Sequence, residues 1–537
     1  MPLDVLVTGP IATFAGATGY GWVEAVGIKD GRVAFAGSAV ELETRADPHT
    51  RRFELEPGEI AIPGLTDAHL HLAEAALAAD QIDLTSAATL QDGLAAITAA
   101  IARLAPGAWL EGAGWDQRRW GRWPTAADLD SVVGGRPAAL WSFDHHALWV
   151  SSAALRAAGI DSATPDPPGG IIRRDAAGAP EGVLLENACP LVTTHIPPAS
   201  AERLERAVEA MARELLALGV VAVHDPGPVV PDPSLSVLSS YGEMADRGDL
   251  ELRVHACVRS ENLDLAIERG LRSGALLGED PDGRARLGWL KLFCDGTLGS
   301  QTAALLDPIE GTTERGVFRM PREVLIDLAE RAAGGSITTQ VHAIGDAAVR
   351  AALDALAPTV GRSALMPRLE HVQLCHPEDR RRFAALGVAA SVQPVHLRED
   401  AATARRDWGP RAESWGYTWR TLLEAGAVVA FGTDAPVEPI DPWPGIAMAV
   451  LRRDPSWGDV PPFGPAEALT LDEALRAACV APAITAAEPD RGRLVPGSRA
   501  DLIVLPPAPQ EPAERAASFA AVRPRLVLMD GEAVVQR

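Results

Sequence analysis

Positive charge is in short supply. Lys and Arg total 49 against 72 Asp and Glu, a net charge of −23. A surface that acidic repels phosphate backbones, which argues against nucleic acid as a partner. Cysteine is scarce as well. The five (Cys189, Cys257, Cys294, Cys375 and Cys479) are scattered, odd in number and without C-x-x-C spacing. A disulfide framework is therefore not expected; buried free thiols in a reduced, cytoplasmic setting are. No run of about 18 apolar residues occurs, which argues against a membrane span. The opening Met1-Pro-Leu-Asp-Val-Leu-Val7 has neither the basic segment nor the long apolar core of a signal peptide. Internal repeats and low-complexity tracts are missing too. What remains is ordinary: 47% hydrophobic and 23% charged residues over 537 positions. That is a soluble globular composition, too long for one core and enough for two or three domains.

The chain is organised around Ile62-Pro-Gly-Leu-Thr-Asp-Ala-His-Leu-His-Leu72. Pro63 and Gly64 punctuate the entry, and His69 and His71 close what reads as a short strand. Side chains two apart on a strand point to one side. Both imidazoles are thus expected to face one point, as two ligands of one metal ion require. Two satisfied polar residues near a strand end leave the same trace, so the pair needs further ligands from distant segments.

Short β-rich runs occupy both ends of the chain: 3–7, 22–28, 32–36 and 52–55, then 501–505 and 525–528. Asp-Gly turns lie at 30–31 and 530–531. Neither end buries a core alone, so the two are expected to combine into one small β-sandwich, from residues 1–62 and 488–537. Between them, strand and helix patterns alternate. Residues 200–218 form an amphipathic helix with Leu204, Val208, Met211 and Leu215 on one face, and Thr470-Leu-Asp-Glu473 opens a late one with a capping box. With the opening strand, runs at 220–223, 252–258, 287–293, 337–341, 368–372, 388–392 and 428–431 make eight. Eight β/α units predict an α/β fold, a distorted TIM (β/α)8 barrel over 63–487 with its site at the C-terminal strand ends. A stretch of about 80–195 interrupts the rhythm after the first strand. It is read as an insertion, rich in tryptophan (Trp109, Trp115, Trp120, Trp123, Trp141, Trp149) and carrying Asp144-His145-His146. Such insertions often shape a pocket; equally, the indoles are a subdomain core.

The strand-end residues are His69 and His71 (first), Lys291 (fourth), His342 (fifth), His371 (sixth) and Asp434 (eighth). Four imidazoles and a carboxylate suit a borderline ion such as Zn²⁺. A lysine desolvated near cations loses its proton more easily. Its neutral amine can take up CO₂ and become a carbamate able to bridge two metals. The competing reading pairs Lys291 with an acid such as Asp295. Asp346 and Glu370 are expected to orient histidine ligands. His195, His255, His376 and His396 are read as structural. His224, at the end of the second strand, and His145 or His146 are candidates to contact substrate, as are Trp115 and Asp116.

Together these residues resemble the amidohydrolase superfamily, in particular its family 3 branch, the YtcJ-like metal-dependent hydrolases. The matching segments are Pro63-Gly-Leu-Thr-Asp-Ala-His-Leu-His71, Lys291-Leu-Phe-Cys-Asp-Gly-Thr-Leu-Gly-Ser-Gln-Thr-Ala303, Val341-His-Ala-Ile-Gly-Asp346, Leu369-Glu-His371 and Phe431-Gly-Thr-Asp-Ala-Pro436. Gly114-Trp-Asp-Gln117 and Pro496-Gly-Ser-Arg-Ala-Asp501 extend the similarity over nearly the whole chain. One departure is Asp144-His145-His146-Ala147, where the branch carries Asp-Gly-His-Ala. The resemblance implies that His69, His71 and Asp434 hold the more buried metal, that His342 and His371 hold the other, and that carboxylated Lys291 bridges them. It also implies frequent dimers.

The expected function is metal-dependent hydrolysis of a non-peptide C–N bond in a small amide, N-acyl or N-formyl. Water is activated to hydroxide on a divalent metal, one or two per chain, and Asp434 acts as general base and then acid. The alternatives are a cyclic-amide hydrolase or deaminase on the same scaffold, and a barrel that has lost catalysis.

Overall fold

A computed structural model describes residues 2–102, 107–142, 147–167, 170–186, 188–228, 234–507, 518 and 521–537. The chain forms two compact units, one from Met1–Ala75 with Val208–Arg537, the other from Ala76–Ala207.

The larger unit is built on eight parallel strands, numbered along the chain: β1 (Leu65–Asp67), β2 (Val220–Asp225), β3 (Arg253–Arg259), β4 (Ala285–Phe293), β5 (Thr338–Ala343), β6 (Arg368–His371), β7 (Ala389–Val392) and β8 (Val429–Phe431). Each pairs with the next in sequence order. The strands read as continuous apolar runs because both faces are covered: every residue of β2, β3, β5, β6 and β7 is buried. The ring closes where Ala68 N–H donates to Phe431 O at 2.9 Å. This is the expected (β/α)8 barrel.

Both chain ends meet in one further sheet. Ile60–Pro63 pairs antiparallel with Leu502–Leu505, which pairs antiparallel with Leu526–Met529. Val5–Ala12 joins from the N-terminal side. Alternate residues of these strands and of Trp22–Lys29, which pairs with Val5–Ala12, among them Val5, Val7, Val26, Ile28, Leu502, Val504, Leu526 and Leu528, make one apolar core. At both Asp-Gly turns the two central residues have positive φ (50° and 72°, 49° and 77°), the type I′ geometry that matches strand twist.

The smaller unit carries a six-stranded sheet in the order Gly170–Arg174, Pro180–Glu186, Ala147–Val150, Ala138–Ser142, Leu110–Trp115, Ile82–Asp83. Helices Leu90–Ile101 and Ala126–Val133 both open with capping boxes, Thr89 with Asp92 and Thr125 with Asp128. Four of the tryptophans, Trp115, Trp120, Trp123 and Trp149, pack ring against ring. Trp115 and Trp149 are fully buried. Their indole N–H groups donate to backbone carbonyls, Trp115 to Leu140 (2.7 Å) and Trp149 to Thr125 (2.8 Å). These indoles are the core of the unit. Among the described residues, no helix is long and apolar enough to cross a membrane, and all five cysteines are buried and free.

Inside the barrel the strands contribute a polar layer. His224 (β2), His255 (β3) and Trp289 (β4) lie with ring centroids 5.1–6.1 Å apart, and the Arg368 guanidinium sits 3.9 Å above the Trp289 ring. Burial is the largest influence on both histidines. It pushes His255 down to about 4, with Arg491, Arg286 and Arg368 adding to it and Glu488 opposing. It holds His224 well below its ordinary value, helped by Arg368. Both rings are neutral in the fold but take up protons in the unfolded chain below about 6.5. Their contribution is complete above that pH and is lost as pH falls towards 4. Denaturant unfolding between neutral and acid pH is expected to show a loss approaching ~1.4 kcal/mol per pH unit for each ring. His255→Gln should make that slope shallower; an unchanged slope would refute the assignment.

Candidate metal centre

β1 ends at Asp67, and the chain turns into a loop that carries His69 and His71 before helix Leu72–Ala79. The two histidines are therefore not strand residues, and strand alternation does not bring them together. The loop is held instead. The Asp67 carboxylate, buried, accepts from the backbone N–H of His69 and of Thr433 (3.0 Å each) and from the Thr433 hydroxyl (2.7 Å). Asp434 N–H donates to His69 O (2.6 Å) and His71 N–H to Ala435 O (2.9 Å). Gly432 makes this approach possible: a Cβ there would lie 2.4 Å from His69 N and 2.7 Å from His69 Cβ.

The side chains converge. His69 Nε2 and His71 Nε2 lie 3.3 and 3.5 Å from Asp434 Oδ1; His396 Nε2 and His371 Nδ1 lie 3.2 and 3.9 Å from Asp434 Oδ2. Ligand atoms of His69, His371 and Asp434 all fall within 4.8 Å of one another. The His342 and His371 rings are 4.5 Å apart. Together with Lys291 these residues line a cavity of about 390 Å³.

Neighbours fix the ring tautomers. A carbonyl oxygen only accepts, so His71 Nδ1, 2.6 Å from Gly227 O, carries its proton there and leaves Nε2 with a lone pair. His342 Nε2, 3.0 Å from Gly296 O, is protonated by the same logic, which frees Nδ1. His69 Nδ1 contacts Glu370 Oε2 at 2.5 Å, again leaving Nε2 towards the centre. Burial would raise Glu370, but Arg368 and His69 outweigh it and hold the carboxyl at about 2. Burial pushes His342 down to about 3, aided by the Lys291 charge, and holds His371 well below its ordinary value beside His342. Burial would raise Asp434 too; the surrounding His69, His396 and His71 hold it well below the carboxylate range. Burial pushes Lys291 down to about 8, against Glu370 and Asp434.

Several expectations change. Lys291 forms no ion pair with Asp295 among the described residues. Asp295 instead accepts from the backbone N–H groups of Ala304, Ile344 and Gly345 and lies 3.6 Å from His342 Nε2. Among the described residues, Asp346 touches no histidine ring at hydrogen-bond distance; its Oδ1 accepts from Leu306 N–H. His224 does not line the cavity: it is fully buried, its Nδ1 2.9 Å from Arg368. Trp115 is core, and Asp116 lies half-buried just before helix Gln117–Trp120, its carbonyl accepting from Trp120 N–H. Asp144, His145 and His146 lie outside the described residues. His396, read as structural, lines the cavity between Asp434 and Glu438. Its signal in the sequence is its place four residues beyond β7, the offset of His71 from β1.

A model of the amidohydrolase family matches residues 57–535. The chain belongs to the amidohydrolase family. This amidohydrolase is 31% identical over 487 residues to the Bacillus subtilis (strain 168) protein YtcJ, assigned as an amidohydrolase, with 90% of each chain covered. It is 30% identical over 514 residues to an N-substituted formamide deformylase of Arthrobacter pascens, again with 90% of each covered. Among solved structures, a metal-dependent hydrolase of Pyrococcus furiosus superposes with a TM-score of 0.77 at 27% identity, over 95% of this amidohydrolase and 99% of that chain. The amidohydrolase is accordingly a hydrolase.

The close approach at Gly432 is testable. Gly432→Ala should force β8 away from the His69 loop and cost roughly 1–3 kcal/mol, with activity falling at least ~10²-fold. A variant that keeps wild-type melting and turnover would show that this contact does not position the site.

Proposed function

We propose that the protein hydrolyses non-peptide C–N bonds of small amides, N-acyl or N-formyl, with one or two divalent cations of the zinc type. The observation that carries this reading is a pair of buried ring nitrogens, His69 Nε2 and His371 Nδ1, without hydrogen-bond partners among the described residues. Both belong to the group gathered around Asp434. An unpaired buried lone pair costs free energy, and a cation ligated there removes the cost. His69, His71 and Asp434 would hold one ion, and His342 and His371 a second, with carboxylated Lys291 between. The name of the Arthrobacter pascens relative, a deformylase of N-substituted formamides, supports the substrate class.

A divalent ion in such a site acidifies water and polarises a carbonyl. The chain's own groups do the rest. Asp434, ionised and within 4 Å of four imidazoles, takes the proton of the attacking water and returns it to the leaving nitrogen. For His396 burial would favour the neutral ring, but Asp434 and Glu438 outweigh it and push the ring up to about 10. Its Nε2–H therefore donates to Asp434 and orients that carboxylate. Glu370 and Gly227 O hold His69 and His71 in the tautomers whose Nε2 faces the centre. Lys291 reacts as the free amine: its nitrogen bonds the carbon of CO₂, one proton leaves, and a carbamate remains.

Purified protein is expected to carry one to two equivalents of divalent metal by elemental analysis and to turn over members of an amide and formamide panel. Asp434→Asn should lower kcat by at least ~10²-fold. Protein without bound metal, or Asp434→Asn with undiminished turnover, would remove the proposal. Lys291→Ala should lose metal and regain part of it, with part of the activity, when a short carboxylic acid is supplied in solution. Full metal content in Lys291→Ala without such an acid would exclude the carbamate.

A further inference from the structure

One wall of the cavity offers acceptors that no described residue uses. Asp400 lies in the first turn of helix Leu397–Trp408, which follows β7. Its Oδ2 accepts from the Tyr417 hydroxyl (2.8 Å) and from Gln373 Nε2 (3.0 Å). Its Oδ1 has no hydrogen-bond partner among the described residues. Gln373, two residues beyond β6, is 5% exposed, and its Oε1 is also without a partner. The amide cannot be turned the other way, because its oxygen would then face a carboxylate oxygen. Both residues line the cavity that holds Asp434 and the histidines.

The pair is firmly mounted. Tyr417 N–H donates to Gln373 O (2.8 Å) and Cys375 N–H to Trp415 O (2.9 Å), and Leu374 bridges Gly416. The two segments brace each other as a short antiparallel pair, and Tyr417 then braces Asp400. Leaving two buried or half-buried oxygens unpaired is unfavourable, so the geometry selects a ligand rich in donors. Carboxylates and phosphates are repelled there. An alcohol brings one donor. A protonated primary amine brings three and no acceptor. Of the cavity's cations, Lys291 and Arg319 lie against the Phe293 ring, 5.0 Å from its centroid, and the protonated His396 ring is taken up by Asp434 and Glu438.

We propose that Asp400 and Gln373 form a subsite for a protonated primary amine of the substrate, so that the amide cleaved is one whose amine portion ends in a second, free amino group, such as an N-acyl or N-formyl diamine. This rests on the reading of the centre as an amide hydrolase. Asp400 supplies the charge and one acceptor, Gln373 the second acceptor, and the distance from this wall to the metal-ligand cluster sets the spacer length preferred.

The test uses metal-loaded protein and a set of N-formyl diamines with spacers from ethylene to pentylene. Each is compared with the N-alkylformamide in which methyl replaces ammonium. At the best spacer the ammonium compound should be preferred at least ~10-fold in kcat/KM, mainly through KM, and Asp400→Asn should bring the ratio towards one. Equal use of both members at every spacer, or a ratio retained in Asp400→Asn, would overturn the subsite. Should no formamide be hydrolysed, the amide reading fails and the subsite is judged by equilibrium alone. Calorimetric titration with n-alkylammonium ions should then show binding that the matching alcohols lack and that Asp400→Asn loses. Absence of ammonium binding to the wild type would end the proposal, water then being the only occupant.

Discussion

The barrel is closed by one buried carboxylate together with two backbone hydrogen bonds. Between every other pair of neighbouring strands a ladder of backbone bonds does the joining. Between β8 and β1 the work falls to Asp67, which accepts two backbone N–H groups and a hydroxyl, and to the bonds from Ala68 to Phe431 and from Asp434 to His69. Burial raises Asp67 to about 6 in spite of three donors, so this carboxylate is held at a cost that its neighbours only partly offset. The return is positional. The residues that follow each strand, His69 and His71 on one side and Asp434 on the other, are locked to a common frame before any ligand is present.

Within that frame one carboxylate organises the charges. Asp434 stands among four imidazoles, His69, His71, His371 and His396, with the His342 ring 4.5 Å from that of His371, and what else a ring meets decides its charge. His396, held between Asp434 and Glu438, is raised against the effect of burial. His342 and His371, packed against each other, are depressed. A neutral ring with its lone pair turned inwards is a ligand; a protonated ring held between Asp434 and Glu438 is a donor. The same residue type thus serves two ends, and position relative to two carboxylates decides which.

Much of this was legible in the chain. The strand-end rule picked out His69, His71, Lys291, His342, His371 and Asp434 from eight apolar runs, and the cavity receives all six. His396 and Glu438 lie four and seven residues beyond β7 and β8, where the rule loses its hold, because a lone histidine reads as structural until its neighbours in space are known. Asp346 and Asp295 show a second limit. Both are acids near strand ends, and sequence spacing gave no reason to prefer one as the neighbour of His342. The tryptophans show a third. An indole in an insertion reads alike as pocket wall or core, and only the Trp115 and Trp149 N–H bonds to backbone oxygens settle those two as core.

The convergence itself could not be read from strand periodicity, for a reason visible in β6. Arg368 and Glu370, two apart, both face the barrel interior as alternation demands, Arg368 against Trp289 and Glu370 against His69. His371 comes next and ought to point outwards. It reaches the same centre because its φ is 74°, followed by 45° at Val372, a left-handed turn that costs non-glycine residues of order 1–3 kcal/mol each. Asp434, at φ 65°, does the same after β8. Two of the three residues whose ligand atoms cluster within 4.8 Å therefore break the regular backbone at the point where they enter the site. A strand can present every second side chain to a common point. Gathering consecutive ones requires the chain to leave the strand, and the surrounding closure by Asp67 and Gly432 is what keeps it there.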